Sequence, residues 1–536
     1  MSLGWTDTAH SGASWQRKEL ADWRPTVDPA DVELLPELDA LVARSRDLGR
    51  NHGVASSAFQ VQIDNVLGTG LRLAAQPDYR ALGKDITWAE EWSRRTESLW
   101  KAYSESTEFD VAGQLNFADM STLVLRTVLV SGEIFALPLW MERPGRFFST
   151  CYQLIEGDRI SNPDYRENTE TLRSGIEIDL YGRPQAYYVR SAGRNDYWLT
   201  PGFYLFTGKW ERIPAETEWG RRRVLHAYVK DRVDQSRGKP MLSCVLEQFK
   251  MFDHYQRSEL QSSIVNALVA GIIETPMDQS AISDLMGGDP NAYLARKNAW
   301  QTRLQGGAMI PLYPGDKMTP FAPSRPSTQY PDFVNTVLRH IAAAVNMPYE
   351  LLVKDFSKTN YSSARAALLE ATRFFLSRRK WLADHWAQQV YTLWLEEAIG
   401  KGLIDAPGFY EQREFWVKSK WIGPGRGWID PVKEAQAAVV RMNAGISTLE
   451  MECAEQGTDW QDVLEQRARE FHRMEDLKIL VYLNSVAAAT QSGGQNAPRK
   501  ATGSEAGAAP GQTDVASNPA AGTGSEESKE GEEYGE

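Results

Sequence analysis

Cysteine is scarce in this 536-residue chain: Cys151, Cys244 and Cys453 are far apart in sequence. Three distant cysteines make neither a disulfide framework nor a CxxC zinc pattern, and they suit a reducing compartment. Long hydrophobic runs are also missing. The longest, from Ile264 to Ile273, is interrupted by Asn266 and reaches roughly half of a membrane span. The opening stretch MSLGWTDTAHSGASWQRKEL has no apolar core and does not read as a signal peptide. Together these features give a chain of cytosolic character with no membrane partner. Positive charge is in deficit, with 59 Lys and Arg against 71 Asp and Glu, a net charge of −12. Global charge therefore does not draw the chain to nucleic acid. Any DNA contact has to be local.

Catalytic signatures are absent as well. A nucleotide-driven motor needs GxxxxGK[ST], whose amides and lysine wrap the phosphates. The Gly-Lys pairs at 83–84, 208–209, 238–239 and 400–401 are never followed by Ser or Thr. Gly68-Thr-Gly70 lacks the third glycine of a dinucleotide loop and runs from helix to strand, the wrong order. The seven histidines show no HxxxH or HxxxE spacing, so His226 and His340 read as structural. No GxSxG elbow occurs. Ser362-Ser363 has no local base to make a nucleophile, and Ser362 or Asn360 reads better as a helix cap. The carboxylate pairs Glu350 with Asp355 and Glu396-Glu397 read as solvated charges. No cofactor and no metal site is expected, and the chain does not read as an enzyme.

What is present is an ordinary globular composition, 42% hydrophobic and 24% charged, in a chain long enough for two to four domains. Residues 1–30 are polar and Pro-punctuated, an arm. Helices are predicted from Asp31 to about Gly49–Gly53, over 54–66, over 87–103 (Trp88, Trp92 and Trp100 on one face) and over 117–131. Residues 133–230 turn to short β-rich runs. A hairpin is expected across GIEIDLYGRPQAYYV, with Gly182 and Pro184 as turn formers, and a strand over 224–230. Helix returns at 241–266 and 278–304. The run 306–327 carries five prolines and is irregular or short strands. Residues 333–345 are helical, and KDFSKTNYSSAR (354–365) leads into a helix over 363–399, about 55 Å long. Leu368, Ala371, Phe375, Leu382, Trp386, Val390 and Leu393 form its apolar stripe, with Arg373, Arg378, Arg379 and Lys380 its basic side. Three smaller helices follow, started by Asp430-Pro431 and by the capping-box spacings Ser447–Glu450 and Thr458–Gln461. The tail 491–536 holds eight acidic and three basic residues and almost no apolar bulk, a composition that does not order itself. The fold class is α+β, predominantly helical.

An ordered set of segments resembles the lambda-type family of tailed-phage portal proteins. They are ARSRDLGRN (43–51), NVLGTGLRL (65–73), SGEIF (131–135), LIEGDRI (154–160), GIEIDLYGRPQAYYV (175–189) and QSRGKPMLSCVLEQFKMFDHY (235–255). IAAAVNMPYELLVKDFSKTNYSSARAALLE (341–370) and DPVKEAQAAVVRMNAGISTLE (430–450) complete it. The resemblance covers about 20–480. It implies a ring of usually twelve subunits at one capsid vertex, assembled in the host cytoplasm, through which double-stranded DNA is packaged and ejected. It also implies a portal fold: wing (31–275 and 363–429), stem helices (276–304 and 328–346), clip (305–327), tunnel loop (347–362) and crown (430–490).

The implied partners are further copies of the chain, DNA, the large terminase, the major capsid or scaffold protein and a head-completion or adaptor protein. The implied DNA contacts are Lys354, Lys358, Thr359, Asn360 and Tyr361 of the tunnel loop. The implied partner contacts are Tyr313, Lys317, Phe321 and Arg325 of the clip. An acidic chain suits a moving DNA, because many phosphate-neutralising contacts would make it stick. Two other readings compete: a metal-dependent DNA hydrolase built from dispersed acids, and a helix-turn-helix-like DNA binder over 430–480. The second segment is net acidic, the wrong sign for a groove reader.

Overall fold

Apolar residues at helical spacing build the first layer. Helices α1 (Ala30–Leu34), α2 (Leu38–Asn51) and α3 (Gly53–Val66) precede strand β1 (Arg72–Ala75), and α4 (Ile86–Ser104) and α5 (Phe117–Ser131) follow it. A computed structural model of the chain describes residues 10–14, 17–191, 209–268, 271–274, 317–320, 329–357, 359–425 and 431–478. The single helix expected from Asp31 is broken at Leu35–Glu37, because Pro36 has no amide hydrogen to continue the ladder. The starts of α4 and α5 follow the capping rule: Asp85 accepts from the Trp88 amide (2.8 Å) and Asn116 from the Asp119 amide (2.9 Å). α5 ends at Gly132, whose φ is +93°. A Cβ there would lie 2.5 Å from the Lys239 backbone, so the two chain segments approach as only glycine permits.

The β-rich region forms two sheets. Strands β2 (Glu133–Trp140), β3 (Thr150–Ile155) and β8 (Leu225–Tyr228) make one in the order β3-β2-β8. Strands β4 (Leu172–Arg173), β5 (Ile176–Ile178), β6 (Pro184–Arg190) and β7 (Trp210–Pro214) make the other, in sequence order and antiparallel. The expected hairpin is β5–β6, with Gly182 at φ +78°. Pro184 stands opposite Ile178 as the first strand residue, not within the turn. Two further ladders are antiparallel pairs. β9 (Gly271–Glu274) pairs with β10 (Lys317–Pro320), and β1 pairs with β11 (Ser419–Ile422).

The later helices are α6 (Leu246–Leu268), α7 (Tyr330–Ala344), α8 (Tyr349–Val353), α9 (Tyr361–Leu382), α10 (Gln388–Gly400), α11 (Arg413–Trp416), α12 (Pro431–Asn443), α13 (Leu449–Glu455) and α14 (Trp460–Asp476). Both late caps sit one residue beyond the expected position. Thr448 Oγ1 accepts from the Met451 amide, and Asp459 Oδ1 from the Gln461 amide. Thr458 instead donates to the Cys453 carbonyl. The helix expected over 278–304, the tail 491–536 and the arm's residues 1–9 lie outside the described residues. The chain divides into two compact units, Met1–Val463 and Leu464–Glu536. Of the second, the described part is the rest of α14 and two turn residues.

Two apolar cores hold the first unit. The larger gathers α2 to α5, β1 and α7 to α10 around fully buried rings such as Trp386, Trp394 and Tyr391. Trp100 sits among Phe117, Tyr391, Trp394 and Trp421 at centroid distances of 5.2–5.8 Å, an edge-to-face arrangement that aromatic quadrupoles favour. The smaller core lies among the β-strands, around Phe135, Ile155, Ile176, Tyr187 and Ile213.

Buried charges stitch these parts together. Glu133 accepts from Arg237 Nε (2.7 Å), the Gly238 amide (3.0 Å) and His226 Nε2 (3.0 Å). Arg237 also donates to the carbonyls of Gly157, Ile160 and Ser174. His226 stacks on Phe135 and Tyr228 at 4.1 and 4.4 Å, so it is the structural histidine that its position in a strand implies. His340 is exposed on α7.

Glu396 and Glu397 correct the expectation of solvated charges: both are buried. Glu397 accepts the Ser149 and Thr150 amides (2.6 and 2.8 Å) and pairs with Lys401. Glu396 accepts from Arg221 and from the Tyr410 hydroxyl. Burial alone would raise the Glu397 pKa, but Lys401 and the two amides outweigh it and hold the carboxyl below its ordinary range.

Candidate functional site

The loop KDFSKTN is mounted between two firmly held helical ends. On its N-terminal side Met347-Pro348 ends one helical run and Pro348 opens the short α8. Thus residues 349–353, inside the segment read as the tunnel loop, are helical. Leu352 and Met347 are buried, the Ser57 hydroxyl donates to the Leu352 carbonyl (2.8 Å), and the Tyr349 hydroxyl donates to Asn335 Oδ1 (2.9 Å). The Arg339 guanidinium lies over the Tyr349 ring at 5.5 Å, within cation–π range. α8 stops at Lys354, which takes a left-handed conformation at φ +60°. A residue other than glycine tolerates this only when its surroundings hold it.

The loop itself is exposed from Lys354 to Ser357. Asp355 Oδ1 accepts the Ser357 amide (2.9 Å), and the Thr359 amide donates to the Phe356 carbonyl (3.2 Å). Asn360 then caps α9: its Oδ1 accepts the Ser363 amide and the Ser363 hydroxyl, each at 2.9 Å. The cap occupies the amide oxygen and leaves the NH₂ as donor. Thr359 is half-buried and Tyr361 is the first residue of α9. Lys358 lies outside the described residues.

From Tyr361 the chain stays helical to Gly400, with one π turn at Ala383–Ala387. At 1.5 Å per residue the run is about 60 Å long. Its two halves differ. Val390 to Ala398 is buried on every side. In α9 the buried stripe is Ala371, Phe375 and Leu382, with Leu368 half-buried and Leu369 and Leu376 exposed. Three of the four cations on the basic side are spent locally, and Arg373 is exposed. Arg379 donates to the Asn65 and Val66 carbonyls (2.9 and 2.8 Å) at the C-terminal end of α3, where a cation complements the helix dipole. Arg378 lies over the Phe374 ring and Lys380 pairs with Asp384.

Beside α9 a cavity of about 990 Å³ separates it from α12 and α13. Leu368, Phe375, Val439 and Met442 give it apolar walls. Arg441 there is bound bidentately by Glu452 (2.9 and 2.6 Å). Gly445, φ +70°, makes the turn after α12. Among the described residues, no group of three or more His, Cys, Asp and Glu side chains could hold a metal ion. No helix among them is long and apolar enough to cross a membrane.

Of the clip residues, Lys317 begins β10, opposite Glu274. Tyr313, Phe321 and Arg325 lie outside the described residues. Ser57, Asn335 and Arg339, which anchor the mount of the loop, carry no local signal in the sequence. Ser57 meets its partner across 295 positions.

The family described as "Phage portal protein, lambda family" matches residues 16–379. Portal protein B of Escherichia phage lambda is 34% identical over 480 residues, covering 86% of this chain and 89% of that protein. The portal protein of Escherichia phage N15 is 33% identical with the same coverage. A probable portal protein of Halomonas phage phiHAP-1 is 24% identical over 85% of this chain and 84% of that protein. Among solved structures, a chain from the neck of an empty GTA particle computed with C6 symmetry aligns with a TM-score of 0.47 at 14% identity, covering 81% of this chain and 96% of that one. A chain from the virion of a native gene transfer agent (GTA) particle aligns at 0.43, with the same identity and coverage.

Proposed function

The chain belongs to the lambda family of phage portal proteins, and on that premise we propose that copies of it form a ring, of twelve subunits, through which double-stranded DNA enters and leaves the capsid. It is a structural virion protein with a portal role at the capsid vertex. In this reading the large terminase docks on the clip (305–327) during packaging and a head-completion or adaptor protein does so afterwards. The wing and crown face the major capsid or scaffold protein and the capsid interior, and assembly takes place in the host cytoplasm. The stem includes 328–346. α6 is its packing partner, since Tyr255 of α6 meets Tyr330 and Phe333 at 5.9 and 4.9 Å.

The observation that carries the DNA contact is the mounting of the loop. Lys354 is exposed in a conformation fixed by α8, and the segment behind it is tethered to α3 and α7. Lys358, Thr359, Asn360 and Tyr361 complete the contact, with the Asn360 NH₂ as phosphate donor. A few such groups repeated around an acidic ring would hold DNA without locking it.

Negative-stain imaging of the purified protein tests the ring, and a strictly monomeric protein at every concentration would refute it. The Lys354→Ala/Lys358→Ala double variant should form rings normally but package or retain DNA less well. Normal packaging and retention by that variant would remove these lysines from the contact.

A further inference from the structure

The β1–β11 ladder holds α13 and the start of α14 by polar contacts. Arg72 of β1 pairs with Asp462 (2.7 Å), and Lys420 of β11 pairs with Glu450 (2.8 Å). The Gln76 side chain, just past β1, donates to the same Glu450 carboxylate (3.3 Å). Apolar support is thin. α12 and α14 bury no side chain, and α13 buries Cys453 alone. Arg72 and Asp462 are both exposed, and exposed pairs of this kind are individually weak. One added charge can therefore decide whether the clasp stays closed.

Glu97 of α4 stands beside the same strand, half-buried. Its Oε1 accepts the Ala75 amide of β1 (2.7 Å), and the Ser93 hydroxyl, one turn earlier, donates to the Ala75 carbonyl (2.7 Å). The Glu97 carboxyl is faced by Arg72 of β1 and by Asp459 and Asp462 at the start of α14. The Tyr391 hydroxyl of α10 lies near it as well. Arg94 and Lys101 stand one turn away on α4 itself, and the β11 side's Lys418 and Lys420 are engaged by Asp78 and Glu450. Partial burial raises the Glu97 pKa and the two aspartates add to the rise. The Ala75 amide and Arg72 oppose it, and the balance stands at about 7.

We propose that Glu97 is a proton-operated latch on α13 and the start of α14. Neutral, it leaves Arg72 to Asp462, and the helices stay clasped to the β1–β11 ladder. Ionised, it repels Asp459 and Asp462, draws on Arg72 and lets the clasp open. A carboxyl that is raised in the closed form and ordinary in the open one carries its proton only when closed, between pH about 4.5 and about 7. Opening therefore becomes easier as pH rises across that window, and it levels off above it. The Glu133 carboxyl titrates lower, so the two effects occupy separate pH ranges. Every group of the latch lies within one chain, and its action does not depend on the formation of a ring.

Hydrogen exchange of the full-length protein, corrected for the intrinsic exchange rate at each pH, tests the latch. Amides of 449–463 should be about tenfold or more less protected at about pH 8 than at about pH 5, whereas those of α5 keep their protection. Glu97→Gln retains an acceptor for the Ala75 amide without the charge, and should protect 449–463 equally at both. Asp459→Asn keeps a capping side chain and removes one acid that faces Glu97, so protection should level off at a lower pH than in the parent. Equal protection of 449–463 at both pH values in the parent overturns the latch, and so does a pH dependence that survives in Glu97→Gln. Should Glu97→Gln fail to fold, a levelling-off that Asp459→Asn does not move overturns it equally.

Discussion

Arg237 and Glu133 form a buried ion pair at the centre of the β-rich part. Both are buried and every polar edge of the pair is used. Removing one member leaves a buried charge without its partner, which typically costs about 3–5 kcal/mol. Arg237→Ala should therefore lower the denaturation midpoint sharply, while exposed Arg373→Ala leaves the stability within about 0.5 kcal/mol of the parent's; chemical denaturation measures both.

The same site gives a pH dependence. Burial raises the Glu133 pKa, but Arg237 and the His226 hydrogen bond more than compensate and bring it to about 2. A carboxyl depressed in the folded state adds stability above its unfolded pKa, and that contribution is lost as pH falls through the folded value. Stability should thus decline between pH about 4.5 and about 2. Glu133→Gln, though less stable at neutral pH, should show a shallower decline over that window. An equal slope in both proteins would count against the assignment.

At the scale of elements, much is legible in the sequence. The Trp88-Trp92-Trp100 spacing marks α4, the apolar periodicity of 54–66 marks α3, and Asn360 caps α9 as its residue type and position imply. Asn360→Ala should destabilise by about 1 kcal/mol and speed hydrogen exchange in the first turn of α9 only. Exchange accelerating along all of α9 would mean that the cap does more than close an end.

The departures from local pattern have physical causes. Pro36 divides a helix whose periodicity continues past it. Thr448 and Asp459 displace their neighbours as caps because side-chain reach to the second or third amide, not the S/T-x-x-E pattern, selects the cap. Glu396 and Glu397 look like surface charge because their partners Arg221, Ser149 and Thr150 are 175 to 248 positions away. No local window contains that information. The loop shows the same division: its lysines and cap are in the sequence, whereas the Ser57, Asn335 and Arg339 mount is not.

At the scale of the whole molecule, family membership is written in an ordered set of segments, none of them diagnostic alone. The order itself carries the signal, because each segment serves packing at a different point of one architecture. The β9–β10 ladder has a further meaning at this scale. It sets Glu274 opposite Lys317, so the 42 intervening residues, 275–316, begin and end about 5 Å apart. The chain thus leaves the described part and re-enters it at a single doorway, the β9–β10 ladder. Closing a loop costs little more as it lengthens, so the length of chain between Glu274 and Lys317 weighs little in closing this ladder. Replacing 275–316 with a short Gly-Asn hairpin should leave the denaturation midpoint of the remainder nearly unchanged; a collapse of the cores would show that the doorway is a keystone instead. Whatever number of residues lies between Glu274 and Lys317, the ladder returns the chain to the place it left.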